Sequence, residues 1–352
     1  MKIVVAIDGS QYSQSALEAC AARKWPAGSE MRLVHVAGPS DDDLVAGIFS
    51  ILGLANTDED IIKAAEAALE NISIGLASKL PDVSVRAELL LGEPVKVLVA
   101  YASAFGANLI ITGTSDNGTW EGFFLGSVSQ GLLEQAACPV LVARASAPVP
   151  EASRPEQVLI CVDDSACSGA TVEWMISQPW LQGCRVCFVS VTDQRPEPGL
   201  TEDSQATATQ LLSWQSSKVF AEQLAHEWAV LLQDESRIDE VYSGVVEGNP
   251  ADLIVKVAKN WPADLVVVGS HGNTGLAKLV LGSVSQAVTR RAHCSVEVVR
   301  GIESRYYREI RAKATRENPL SDILASQGHV SQGQESKRGR ISVHSMPASL
   351  LM

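Results

Sequence analysis

Along the first 300 residues, short apolar runs alternate with longer stretches whose apolar positions recur at helical spacing. In the first half the runs are Lys2 to Ile7, Met31 to Val36, Val83 to Leu91, Asn108 to Thr112 and Val140 to Ala143. Their length and β-branched content predict strands, and the helical patterns between them predict a parallel α/β sheet. Leu109-Ile110-Ile111 and Leu265-Val266-Val267-Val268 are apolar without a break, as central strands covered by helices on both faces should be. Ala221, Leu224, Trp228 and Leu231 fall on one stripe of a helix, and that stripe is read as core. Trp25, Trp174, Trp180 and Trp214 are read as core as well.

The pattern occurs twice. Val5-Ala6-Ile7-Asp8-Gly9-Ser10 returns as Ile160-Cys161-Val162-Asp163-Asp164-Ser165, and Val34-His35-Val36 as Val189-Ser190-Val191, both offset by 155. Gly92-Glu93-Pro94 returns as Gly248-Asn249-Pro250, and Leu125-Gly126-Ser127-Val128-Ser129-Gln130 as Leu281-Gly282-Ser283-Val284-Ser285-Gln286, both offset by 156. So long a period excludes solenoids and propellers and implies two copies of a whole domain. The expected division is 1–145, a linker at 146–155 rich in Pro, Ala and Ser, 156–300, and a tail at 301–352. In the tail, Ile302 to Glu317 reads as a charged helix with a Glu309 to Lys313 pair, and the remainder reads as largely disordered.

Charge then narrows the function. The 352 residues carry a formal net charge of −13, which disfavours nucleic acid and anionic membranes as partners. Residues 1–149 hold nine basic and 17 acidic side chains, so the first copy is itself strongly acidic. No apolar stretch approaches the roughly 18 residues of a membrane span, and the run Ile3 to Ile7 is too short for a signal-peptide core. A cytoplasmic location follows as the expectation. The seven cysteines are scattered, so reduced thiols are expected. Cys184 and Cys187 straddle a strand pattern that turns residues three apart to opposite faces, which argues against a metal or redox pair.

Candidate chemistry concentrates after the fourth strand of the second copy. Gly269, His271 and Gly272 follow the apolar run, and Gly282-Ser283 opens a helical pattern ten residues later. Glycines at the carboxyl edge of a parallel sheet let backbone amides approach an anion, and a helix N-terminus offers unpaired N–H groups to phosphate. Ser283, Val284 and Ser285 supply those amides, and Ser283 and Ser285 add hydroxyl donors.

This arrangement resembles the universal stress protein family, whose nucleotide-binding members carry Gly-x2-Gly-x9-Gly-(Ser/Thr) at this place. Gly269, Gly272, Gly282 and Ser283 match it without a gap. The resemblance covers residues 1 to 300 in two copies, each implied to be a doubly wound, Rossmann-like five-stranded parallel sheet of order 3-2-1-4-5. It places Asp163 and Val191 at the adenine and ribose end. It also implies ATP, ADP or AMP as the ligand and an internal pseudo-dimer, with a homodimer left open; a bound Mg²⁺ is a separate expectation, for which Asp116 or Asp8 would serve as an oxygen ligand. In the first copy Asp8, Val36, Gly113, Gly126, Ser127, Val128 and Ser129 form a weaker candidate set, because Asp116 stands where the second copy has Gly272. Residues 114–125 carry Asp116 and Glu121, whereas 270–281 carry Lys278. A carboxylate about 5 Å from a phosphate costs roughly 3 kcal/mol at an effective dielectric near 20, so nucleotide is expected mainly in the second copy.

Three functions remain open on the sequence. The favoured one is an ATP-binding regulatory protein of the stress response with an unidentified protein partner, and no residue is assigned a catalytic or metal-binding role. The others are a slow ATPase or self-phosphorylating enzyme, and a stress scaffold without nucleotide.

Overall fold

The computed structural model describes residues 1–37, 58–114, 125–144, 156–196, 204–236, 238–271, 281–301, 304–317 and 343–347. They fall into two compact units. The first is built from Met1–Ala152 and takes in Thr289–Val298, while the second is built from Ser153–Leu276, Gly282–Val288 and Val299–Met352.

In the first unit the strands are β1 (Lys2–Ala6), β2 (Ser29–Ala37), β3 (Val83–Leu91), β4 (Leu109–Gly113) and β5 (Val140–Ala143). They pair in parallel in the order β3-β2-β1-β4-β5, which is the doubly wound order expected. The helices are α1 (Gln11–Ala22), α2 (Asp58–Ala77), α3 (Pro94–Phe105) and α4 (Ser127–Gln135). Two of them start or stop on a clear local signal. The Ser10 hydroxyl caps α1 by accepting from Tyr12 N–H at 3.2 Å, Pro94 occupies the first turn of α3, and Gly106 ends α3 at φ 70°. Ile3, Val4, Val5, Ile110 and Ile111 are fully buried in the middle of the sheet.

The second unit repeats this plan with β6 (Gln157–Cys161), β7 (Arg185–Thr192), β8 (Glu240–Glu247) and β9 (Leu265–Gly269), paired in parallel in the order β8-β7-β6-β9. Its helices are α5 (Ala166–Ile176), α6 (Ser204–Ser236), α7 (Pro250–Asn260) and α8 (Ser283–Arg291). Strand β10 (Ser295–Val299) ends beside β9, where Ser270 N–H donates to Val299 C=O at 2.9 Å. Residues 295–298 of β10 belong to the first unit, where Val296 and Val298 pair antiparallel with Val142 and Val140 of β5. Among the described residues no helix is long and apolar enough to cross a membrane.

Two core expectations need correction. On α6 the buried apolar set is Ala221, Leu224, Ala225, Trp228, Ala229 and Leu232, with Leu231 only half-buried, because steps of three and four keep the stripe turned inward over a long helix. Trp25 and Trp180 are core, but Trp174 and Trp214 are half-buried. The Trp214 indole N–H donates to Asp193 C=O at 3.1 Å, and its ring carries the cations of Arg195 and Lys218.

In the tail the charged helix expected between Ile302 and Glu317 is present. Helix α9 (Tyr307–Arg316) buries Ile310 and Ala314. Arg305 pairs with Glu173 at 3.2 Å, Arg311 grips Asp164 through two nitrogens at 2.7 and 2.9 Å, and Lys313 pairs with Glu227. Lys313 therefore serves the α6 carboxylate instead of the expected Glu309. Residues 344–345 form a further strand, β11, parallel to β8. The linker 146–155 and the segment 318–342 lie outside the described residues.

Candidate functional site

Parallel strands leave a crevice beyond their carboxyl ends where the connections diverge to opposite faces. In the first unit that crevice is a cavity of about 510 Å³ between the ends of β1, β2 and β4 and the start of α4. The volume lies within the range of small-ligand sites. Asp8, Val36, Gly113, Gly126, Ser127, Val128 and Ser129, every residue of the weaker candidate set, line it. Pro94 and Leu98 of α3 close it on another side, and the sequence signal that could have found them is the repeated Gly-x-Pro ahead of the helix.

One end of the cavity is polar in a particular way. Asp8 Oδ1 accepts from Ser10 N–H at 3.0 Å, from Ser10 Oγ at 2.6 Å and from Ser13 Oγ. Burial pushes the Asp8 carboxyl upward, but the Ser10 and Ser13 donors outweigh it and hold the group below its ordinary 3.8. A depressed carboxyl favours the folded state above the unfolded value, and that contribution is lost as pH falls through the folded one. The Asp8 carboxyl ¹³C shift should therefore titrate with a midpoint below 3.8, and Ser13→Ala should move the midpoint upward.

At the other end, Gly126 is the N-cap of α4 and supplies no side-chain cap, so the first amides of the helix and its positive dipole end are left to a ligand. A Cβ built on Gly126 would meet nothing within 4 Å. Gly113 is different. A Cβ there would sit 2.0 Å from Tyr12 O, so this glycine exists to let β4 pack under the first turn of α1. Ser129 is also structural, since its hydroxyl donates to Gly113 C=O at 2.8 Å and meets Thr112 Oγ1 at 3.1 Å, tying α4 to the end of β4. His35 faces the same cavity, but its Nδ1 lies 2.9 Å from Ile7 O and it is buried with the sheet.

The second unit reproduces these parts. Asp163 Oδ1 accepts from Ser165 Oγ at 2.5 Å and Ser168 Oγ at 2.6 Å, and Val191 closes the end of β7 half-buried. A Cβ on Gly269 would meet Cys167 Sγ at 2.9 Å, so it too is a packing glycine, against α5. Gly282 N–H donates to Ser270 C=O at 2.7 Å, and Ser285 Oγ donates to Gly282 C=O at 2.9 Å. Thus the Ser285 hydroxyl holds the loop by bonding back to the Gly282 carbonyl. Ser283 is exposed and Val284 half-buried, the same exposures as Ser127 and Val128. His271 Nδ1 lies 2.9 Å from Ser270 Oγ, an intraloop contact. Gly272, Lys278, Asp116 and Glu121 lie outside the described residues.

Asp164, which the sequence left without an assignment, stands where the first unit has Gly9 and is neutralised by Arg311 of α9. The resulting hydrogen bonds raise the Arg311 guanidinium. Replacing Asp164 by Asn should loosen α9 and speed amide exchange at 307–316, by less than tenfold because Arg311 is half-exposed.

A family model described as the universal stress protein family matches residues 1–144 and 155–300. Universal stress protein Rv2005c of Mycobacterium tuberculosis is 32% identical over 244 residues, covering 68% of this chain and 76% of that protein. Universal stress protein Rv2623 of the same organism is 27% identical over 314 residues, covering 85% of this chain and 96% of that one. Among solved structures, a universal stress protein from Archaeoglobus fulgidus shares the fold with a TM-score of 0.55 at 19% identity, over 85% of this chain and 96% of that one.

Proposed function

Because the chain belongs to the universal stress protein family along both of its repeats, we propose that it is an adenine-nucleotide-binding regulatory protein of the stress response, its phosphates held at Gly126–Ser129 and Gly282–Ser285. The observation that carries this reading is the cavity of about 510 Å³ that joins Asp8 and Val36 to an uncapped helix N-terminus. Such a hollow has a polar acceptor at one end for a ribose hydroxyl, an apolar wall for a base, and backbone amides at the other end for phosphate. ATP is the proposed ligand, with ADP and AMP as the shorter forms the same parts accept.

The cavity supports binding in the first unit as well, and the charge difference between the loops supports tighter binding in the second. Mg²⁺ is a poorer fit to the described residues. Three donors already converge on Asp8 Oδ1, and no group of three or more His, Cys, Asp or Glu side chains that could hold a metal occurs among the described residues. Occupied and empty states would present different surfaces to a protein partner, which is how binding without turnover would act.

The test uses Ser127→Asp and Ser283→Asp. A carboxylate in the first turn favours the helix, so folding is preserved while a phosphate nearby meets a repulsion of roughly 3 kcal/mol, about two decades of affinity. The expected result is adenine nucleotide released from denatured, freshly purified protein, with occupancy falling at the altered site only. A chain that carries no nucleotide and shows no heat of binding with ATP, ADP or AMP at millimolar concentration overturns the proposal in favour of a scaffold. Multiple turnovers of phosphate release, abolished by Ser283→Ala, would instead make it an enzyme.

A further inference from the structure

The outermost strand of the second unit comes from the far end of the chain. His344 and Ser345 pair in parallel with Tyr242 and Ser243 of β8, and Met346 N–H donates to Ser243 C=O at 3.0 Å. Met346 is buried at 6% exposure, and the Cys187 thiol donates to its sulfur at 3.5 Å. The His344 ring lies against Tyr242 with centroids 5.4 Å apart, and Tyr242 meets Trp261 edge-on at 5.0 Å. Pro347 follows and ends the ladder, since it has no N–H to donate. This edge therefore offers a run of backbone groups and a single socket for one unbranched apolar side chain.

Two observations separate β11 from the sheet it covers. In the first unit the same order of strands ends at β3, with no further strand paired beyond it among the described residues, so the shared core is complete without such an addition. The docked segment is also short, with His344 and Ser345 exposed and Met346 the residue it buries. An open sheet edge accepts an added strand through main-chain hydrogen bonds, with side-chain sockets setting the choice of sequence.

We propose that the outer edge of β8 is a docking site for an extended peptide that runs parallel to β8 and places a methionine-like side chain in the Met346 socket. Residues 343–347 are its resident occupant, which an incoming peptide must displace. As part of the same chain, the resident segment competes at an effective concentration on the order of 1 mM. A peptide that binds the open edge at about 100 μM is then weakened roughly tenfold by the tail. The kind of partner is a protein segment with a small polar residue followed by an unbranched apolar one.

The probe is a fluorescent synthetic peptide with the sequence of residues 341–348, read by anisotropy against the full chain and against full chains carrying Met346→Asp or Met346→Ala. The peptide is expected to bind the Met346→Asp chain at least tenfold more tightly than the unaltered one, with Met346→Ala between them. The same peptide with Asp at the methionine position should bind none of them. Equal affinity for all three chains, or no binding to either variant while circular dichroism shows both folded, overturns the proposal. Should Met346→Asp fail to fold, the Met346→Ala chain decides by the same criterion.

Discussion

Alanine in place of Gly113 is expected to destabilise the first unit by about 3 kcal/mol, the upper end of what one added methyl does to a packed site. The new Cβ would lie 2.0 Å from Tyr12 O and 2.6 Å from Tyr12 C. Both are backbone atoms in the first turn of α1, so neither can swing aside as a side chain would. The strand end or the helix must move, and the Ser129 to Gly113 hydrogen bond at 2.8 Å moves with them. Two controls make the prediction specific. Gly126→Ala meets open space and should leave the urea midpoint nearly unchanged. Gly269→Ala meets the Cys167 sulfur at 2.9 Å, which a side-chain rotation relieves, and should cost about 1 kcal/mol. Equal midpoints for Gly113→Ala and Gly126→Ala would refute the packing role.

Removing the carboxylate of Glu297 should cost more still, about 3 to 5 kcal/mol. Glu297 sits on β10 opposite Leu141 and is 1% exposed. Its Oε2 is 3.2 Å from Arg23 Nη1, whose side chain is 5% exposed. Two charges taken out of water are tolerable together, but Glu297→Leu alone leaves the guanidinium buried without this counter-charge. The double change Arg23→Met with Glu297→Leu removes both charges and should recover most of the loss. Denaturant unfolding of the four chains in this cycle gives the coupling directly, and additive single effects would show that the pair is not energetically linked. The neighbouring Cys20 thiol, pushed up to about 12 chiefly by burial, stays protonated and takes no part.

These two residues mark the limits of a sequence reading in opposite ways. Gly113 and Gly269 stand out in the sequence as parts of a phosphate-binding pattern, yet contact with the helix that follows the first strand of each unit accounts for their lack of a side chain. Ser129 and Ser285 likewise resemble phosphate donors, and their hydroxyls bond to the carbonyls of Gly113 and Gly282. Glu297 is a lone carboxylate in the apolar run Val296 to Val299, and that is the one local signal of a buried partner. Its partner lies 274 positions away, and no local pattern points there.

Asp8 and Asp163, at the carboxyl ends of the first strands, were legible because the repeat aligned them and strand periodicity put them at the edge. Gly126 and Ser127 were legible because a glycine followed by a small polar residue opens a helix. The tail was not. Its strand is two residues long, shorter than any periodicity can register, and its stability comes from one side chain entering a socket made by β7 and β8.

The sequence alone determined the two repeats, the strand and helix order within each, and the sheet edge at which the residues of the cavity lie. Those features follow from periodicity and turn chemistry, which act within windows of a few residues. Only the tertiary structure decided which glycine makes room for a helix and which opens onto a cavity, which hydroxyls bond to carbonyls, where a buried charge finds its counter-charge, and that residues 343–347 return to a sheet edge. Each of these depends on the distance between atoms remote along the chain, and van der Waals contact and charge desolvation are set by that distance alone.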